Sequence, residues 1–177
     1  IKEFAITSDG VFFHNPKYLK KLTKKLAKLQ RELSHRTKGG SNRNKTKLKV
    51  AKLHEKIANQ RKDFLHKVST QLINENQVIV IEDLLVRNMI KNHKLARCIA
   101  DVSWSEFRTM LEYKAKWYGR QIIIAPPNYA SSQLCSNCGN KSLQTKDLSC
   151  RTYVCSVCGM TMDRDINASK NLLKLAI

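Results

Sequence analysis

The chain has 177 residues, with 33 Lys and Arg against 14 Asp and Glu, a formal net charge of +19. Its hydrophobic content of 42% excludes a disordered chain, and the 6 Gly and 3 Pro exclude collagen-like or low-complexity sequence. No run of about 18 apolar residues occurs, so no membrane-spanning helix is expected. A strongly positive fold repels itself, and nucleic acid phosphates relieve that repulsion by releasing counterions. A chain of this size buries roughly 70% of the surface it exposes when unfolded, enough for one large domain or one domain plus a small module.

In chain order, Phe4-Ala5-Ile6-Thr7 and Val11-Phe12-Phe13 flank Ser8-Asp9-Gly10, which predicts a strand hairpin. From about Lys17 the period changes: Leu19, Leu22, Leu26, Leu29 and Leu33 recur at steps of three and four, a helical seam. Lys38-Gly39-Gly40-Ser41-Asn42 should break it. A second helix follows on Val50, Leu53, Ile57, Phe64, Val68 and Leu72, giving an antiparallel helical hairpin over about 17–75. Its outer faces carry Lys20, Lys21, Lys24, Lys25, Lys28 and Arg31 with few acids, the pattern of a nucleic-acid-facing surface rather than a merely solvated one.

Val78-Ile79-Val80-Ile81 reads as a strand covered on both faces, with Glu82 and Asp83 at its C-terminal end. A long helix is expected from about Ser103, where Ser103-Trp104-Ser105-Glu106 has the form of a capping box. Its stripe is Phe107, Met110, Leu111, Lys114, Ala115 and Trp117, and Gly119 can end it. Arg120 to Ala125 is a second buried-type strand closed by Pro126-Pro127, and a last helix covers about Asp165 to Leu175, with Ile166, Ala168, Leu172 and Leu173 for packing. Buried strands alternating with helices indicate an α/β layered domain.

Cys135-Ser136-Asn137-Cys138 and Cys155-Ser156-Val157-Cys158 are separated by the sixteen residues Gly139 to Val154. Two such knuckles, each followed by glycine, can present four thiolates at the corners of a tetrahedron. Zinc suits that donor set, and four protein ligands leave no open position, so the metal is structural. A redox dithiol would instead sit in a thioredoxin-like βαβ unit and need no second motif. Paired Cys-x-x-Cys motifs without a secretory signal also speak for a reducing compartment. Cys150 lacks a companion and is a bystander, and Cys98 is expected to be buried as a small apolar residue.

With acids so few, their positions carry information. A carboxylate ending a buried strand, Glu82, and another opening the final helix, Asp165, are donors of the kind magnesium prefers for phosphodiester hydrolysis. A solvated strand-end acid and a helix N-terminal charge account for each separately, and spacing alone does not join them into one site.

Val78 to Leu84, Asp101 to Arg108, Leu111 to Ala115, Ser132 to Gly139 and Asp163-Arg164-Asp165-Ile166-Asn167-Ala168-Ser169, in that order, resemble TnpB (OrfB), the transposon-encoded proteins related to compact type V CRISPR effectors. The resemblance spans essentially the whole chain. It implies an α/β, RNase H-like (RuvC) nuclease core over 1–130, containing the inserted helical hairpin. A zinc ribbon at 131–160 and a final RuvC helix at 161–177 complete it. It further implies RNA-guided cleavage of DNA with catalytic magnesium, DNA and guide RNA as partners, and a place in the prokaryotic cytoplasm at the nucleoid. Glu82 matches the second acid of the family's metal site and Asp165 the third, with Asp163 the poorer match. Asn167 and Arg164 would support the site, Arg164 by reaching a phosphate. The family's first catalytic Asp lies a few residues before the segment matching Ile1-Lys2-Glu3-Phe4, and Asp9 in the hairpin turn does not replace it. This stretch is therefore expected not to cleave DNA unaided. A non-catalytic zinc-ribbon nucleic-acid-binding protein is the alternative, and the charge disfavours a protein–protein adaptor.

Overall fold

Alternating apolar residues around Asp9-Gly10 form the first hairpin of the computed structural model, which describes residues 1–142 and 149–176. Strand β1 (Glu3–Ile6) pairs antiparallel with β2 (Phe12–His14). Gly10 turns the chain at φ +85°, and the Thr7 hydroxyl donates to the Asp9 carboxylate. Helices α1 (Tyr18–His35) and α2 (Ser41–Glu75) form the expected hairpin. Leu26, Leu53 and Ile57 fill its seam, flanked by Leu19, Leu22, Leu29 and Val50. Arg43 at the start of α2 donates to the Leu33 and Arg36 carbonyls at 2.7 and 3.0 Å, closing the C-terminus of α1.

The far half of α2 enters the main core. Leu65 and Ile73 there are fully buried, together with Phe4 of β1, Val102 and the residues Phe107, Met110, Leu111 and Ala115. Phe4 meets Phe64 and Phe107 edge to face at 5.1 and 4.8 Å, and Trp104 Nε1 donates to the Phe4 carbonyl at 3.0 Å. After the short helix α3 (Val86–Met89), Val102 ends α4 (Ala96–Val102), and Trp104, Phe107, Met110, Leu111 and Ala115 belong to the long α5 (Trp104–Tyr118). Strand β3 (Val78–Ile81) pairs parallel with β4 (Gln121–Ile124), so α5 belongs to the crossover of a β-α-β unit. The module that follows holds an antiparallel pair, β5 (Thr152–Val154) and β6 (Thr161–Asp163), then α6 (Arg164–Leu173) and a 3₁₀ turn at Lys174–Ala176. The expected α/β class is present. Residues 143–148 of the expected zinc ribbon and residue 177 of the final helix lie outside the described residues.

Several local expectations are corrected. All four residues of β3 are half-buried, not covered on both faces, because among the described residues the sheet is two strands wide. Ser103 makes no capping box. It joins α4 directly to α5 at φ +58°, and its hydroxyl turns back to the Ala100 carbonyl. Trp117 is 75% exposed and leaves the stripe that Lys114 does join. Cys98 is exposed on α4. Helix α6 packs through Asn167 and Asn171, both buried, while Ile166, Ala168 and Leu172 are half-buried and Leu173 is exposed. Gly119 ends α5 at φ +61°, as expected.

Candidate metal sites and nucleic-acid interface

The two cysteine knuckles fold alike because each runs through the same turn. Gly139 N–H donates to the Cys135 carbonyl at 2.9 Å, and Gly159 N–H to the Cys155 carbonyl at 3.0 Å. Cys135 N–H reaches the Asn140 carbonyl and Cys155 N–H the Met160 carbonyl. Both glycines have positive φ, +76° and +70°, which a side chain would strain. The turns bring the sulfurs of Cys135, Cys138, Cys155 and Cys158 within 4.8 Å of one another. Two of the cross-knuckle pairs are 3.6 Å apart. Zinc–sulfur bonds of about 2.3 Å at tetrahedral angles set neighbouring sulfurs about 3.8 Å apart, so the four thiols fit zinc closely.

The electrostatics divide the thiols: against the lowering bond from the Asn140 amide, burial and the neighbouring cysteines push Cys138 up to about 12, while the second knuckle favours the thiolates a metal needs. The Met160 amide and then the Asn137 side chain pull the Cys158 thiol down to about 6, and the amides of Cys158 and Val157 lower Cys155. Tyr153 supplies the module's interior. It is fully buried beside Cys135 and Cys155, with Met160 against it, and its hydroxyl is shared between the Gln133 and Asn140 carbonyls. Cys150 stays outside the sulfur cluster, and its thiol turns to the Thr152 carbonyl at 3.1 Å.

Glu82 is exposed at the C-terminal end of β3, beside a cleft of about 210 Å³. Asp83, Ala125, Pro126, Tyr129 and Leu172 of α6 also line that cleft, so it opens where both parallel strands end. Open α/β sheets place ligand sites at the carboxyl ends of their strands. The Ser131 hydroxyl donates to Glu82 Oε1 at 2.7 Å. Asp83 is held apart by Arg108, whose Nη1 donates to it at 2.7 Å while Nε reaches Glu112 at 2.9 Å.

Asp165 sits in the first turn of α6, 46% exposed, with Arg151 Nη1 3.9 Å away. It precedes Leu172, which lines the cleft, by about 10 Å of helix rise. Asp163 is the N-cap of that helix, accepting from the amides of Asp165 and Ile166 at 2.8 and 3.2 Å. Among the described residues, neither Glu82 nor Asp165 belongs to a group of three or more ligand side chains. Hard carboxylate oxygens are present for magnesium, fewer than a two-metal clamp requires.

The two residues expected to support the site make these contacts. Asn167 spends its side chain on the first knuckle, and Arg164 Nη1 donates to the Cys150 carbonyl at 3.3 Å. Lys21, Lys24, Lys25 and Lys28 are all exposed on α1, opposite the leucine seam, with Lys21 Nζ 5.9 Å from the Tyr18 ring. Sequence reasoning missed Ser131, Arg108 and Asn171. Only the Asn167–Asn171 spacing of four on one helix face was a signal, since Ser131 and Arg108 act through tertiary placement.

No described helix is long and apolar enough to cross a membrane. A family model described as "Probable transposase" (OrfB_IS605) matches residues 1–93, and one described as the Cas12f1-like TNB domain matches residues 104–172. The chain is 46% identical over 173 residues to a Streptomyces pristinaespiralis protein named "Putative RNA-guided DNA endonuclease", covering 98% of this chain and 42% of that protein. It is 39% identical to the Escherichia coli K12 protein of the same description called InsQ, covering 98% of this chain and 46% of the relative. The chain thus spans less than half the length of these curated relatives. Its fold is like that in the cryo-EM structure of the Cas12f1-sgRNA-target DNA complex, with a TM-score of 0.64 at 19% identity over 94% of this chain and 44% of that one. With more than half its length matched by one family model, and a Methanocaldococcus jannaschii "TnpB-like protein" 32% identical over 86% of this chain among its relatives, the chain belongs to the OrfB_IS605 (TnpB) family.

Proposed function

We infer that this chain carries the metal-dependent nuclease region of an RNA-guided DNA endonuclease associated with transposition. The observation that carries the reading is Glu82 in a cleft at the C-terminal ends of two parallel strands, within a strongly basic chain. The names of the relatives and of the Cas12f1 complex support DNA and a guide RNA as partners.

In this reading residues 1–130 are an RNase H-like (RuvC) core, 131–160 a zinc ribbon and 161–177 the closing helix. Zinc on the four cysteines has no vacant position and holds the ribbon's shape. Magnesium, when bound, supplies polarisation of the scissile phosphate and a water acidic enough to attack it. Glu82 offers a carboxylate already oriented by Ser131, and Asp165 offers the second. Arg108 keeps Asp83 engaged and out of competition for the cation. Lys21, Lys24, Lys25 and Lys28 follow the phosphate backbone, while base pairing with the guide supplies sequence specificity. The protein works in the prokaryotic cytoplasm at the nucleoid.

That neither acid sits in a group of three or more ligand side chains among the described residues favours one competitor, a zinc-stapled nucleic-acid binder without catalysis. The two separate on one assay. In a chain of the relatives' full length, loaded with its guide RNA, Glu82→Gln and Asp165→Asn should each abolish magnesium-dependent cutting of a matched plasmid and leave DNA affinity unchanged. Cutting that persists in both variants would remove these acids from the mechanism. A parent protein that binds the plasmid and never cuts it would establish the binder.

A further inference from the structure

Helix α6 packs two primary amides into the protein interior. Asn167 is fully buried and Asn171 is 2% exposed, four residues apart on one face. A buried amide away from water is costly unless its donors and acceptor are satisfied. These two are satisfied by backbone on both sides of a zinc ligand. Asn167 Nδ2 donates to the Leu134 carbonyl at 2.6 Å, and its Oδ1 accepts from Ser136 N–H at 2.9 Å. The residues before and after Cys135 are therefore clamped by one side chain.

Asn171 extends the path. Its Nδ2 donates to the same Leu134 carbonyl at 2.7 Å and to the Ser131 carbonyl at 2.8 Å. Ser131, itself buried, donates its hydroxyl to Glu82 Oε1 at 2.7 Å. A continuous hydrogen-bonded chain thus runs from the first zinc knuckle to the carboxylate in the cleft. The helix that carries the amides is pinned at its other side by the Ser169 hydroxyl on the Thr7 carbonyl and by the Tyr129 hydroxyl on the Asn171 carbonyl.

We propose that Ser131, Asn171 and Asn167 are positioning residues that couple the zinc knuckle to Glu82, so that losing zinc, or breaking the chain midway, weakens the hold of Glu82 on a divalent or trivalent cation. The inference rests on the cation-binding role proposed for Glu82. Partners that orient metal ligands through hydrogen bonds set affinity over one to two powers of ten when removed. Thermodynamic coupling is reciprocal, so if bound zinc tightens the hold of the cleft on a cation, the bound cation tightens zinc by the same factor.

The test uses the zinc-loaded chain and terbium(III), a hard oxygen-seeking probe whose luminescence is sensitised by Tyr129, which lines the cleft. Zinc affinity is read in parallel by competition with a chromophoric chelator. The Glu82-dependent part of terbium binding is defined by subtraction of Glu82→Gln. Ser131→Ala should weaken that part about tenfold without changing zinc affinity, and Ser131→Thr should restore it. Asn171→Ala should weaken both metals, and so should Asn167→Ala. Stripping zinc from the parent chain should weaken terbium as Ser131→Ala does, which keeps the test sharp if an asparagine variant fails to fold. Glu82-dependent terbium binding indifferent to zinc removal and to Ser131→Ala would overturn the coupling and leave Glu82 as a ligand. Identical terbium binding by the parent and Glu82→Gln would overturn the cation reading of Glu82 and the coupling with it.

Discussion

Replacing Tyr153 by alanine should nearly empty the zinc module of apolar packing. Its ring is fully buried, and its companions are the two buried cysteines and the half-buried Met160. Truncating a buried aromatic side chain to alanine costs about 3–5 kcal/mol. In a small module whose folding is linked to its metal, that loss appears as metal affinity. At about 1.4 kcal/mol per factor of ten, Tyr153→Ala should weaken zinc by roughly two to three and a half powers of ten. Tyr153→Phe removes only the hydroxyl shared between the Gln133 and Asn140 carbonyls. One neutral hydrogen bond is worth about 1 kcal/mol, so its loss should weaken zinc about fivefold. Competition with a chromophoric chelator measures both variants on one scale. If Tyr153→Ala held zinc as tightly as the parent, the thiolates alone would organise the module and the packing argument would fail.

Other consequences can be read with equally simple measurements. Replacing Lys21, Lys24, Lys25 and Lys28 with alanine should lower the slope of log affinity against log salt by about 3, since each phosphate contact contributes roughly 0.7–0.9. All four are exposed, so the melting temperature should stay where it was; an unchanged slope would take nucleic acid off this face. Lys114 is buried against α2, its ammonium bonded to the His66 carbonyl and the Ser69 and Thr70 hydroxyls, and burial holds its pKa below the usual 10.5. Between its folded value and 10.5 the unfolded chain binds more protons, so stability should rise with pH across that window. Lys114→Met should flatten that alkaline rise in urea titrations, and a rise that survives the substitution would assign it to another group.

Much of the fold could be read from the sequence because its signals are local. The leucine spacing of α1, the Asp-Gly turn after β1, the paired prolines after β4 and the glycines after each knuckle act through their own neighbours. The sulfur cluster was legible for the same reason: each Cys-x-x-Cys is a single turn, and the two turns are alike. What escaped depended on distant parts of the chain. Ser103 has the composition of a helix cap, but α4 runs directly into it and forces a left-handed backbone. Trp117 has helical spacing with the core residues, yet lies beyond the face that meets α2. The resemblance implied a supporting role for Asn167, but that its amide bonds the backbone on both sides of Cys135 depends on where the knuckle folds. Ser131 carried no signal of its own, and only folding sets it against a carboxylate forty-nine positions away.

The central claim, that Glu82 and Asp165 ligate catalytic cations, is tested most directly by placing manganese in a crystal of the protein and locating it by anomalous scattering. The account predicts a peak about 2.0–2.3 Å from a carboxylate oxygen of Glu82, the range of hard cation–oxygen bonds, with Asp165 drawn to the same centre. Manganese bound elsewhere, with Glu82 still engaged only by Ser131, would contradict the enzyme reading and leave a zinc-stapled nucleic-acid binder.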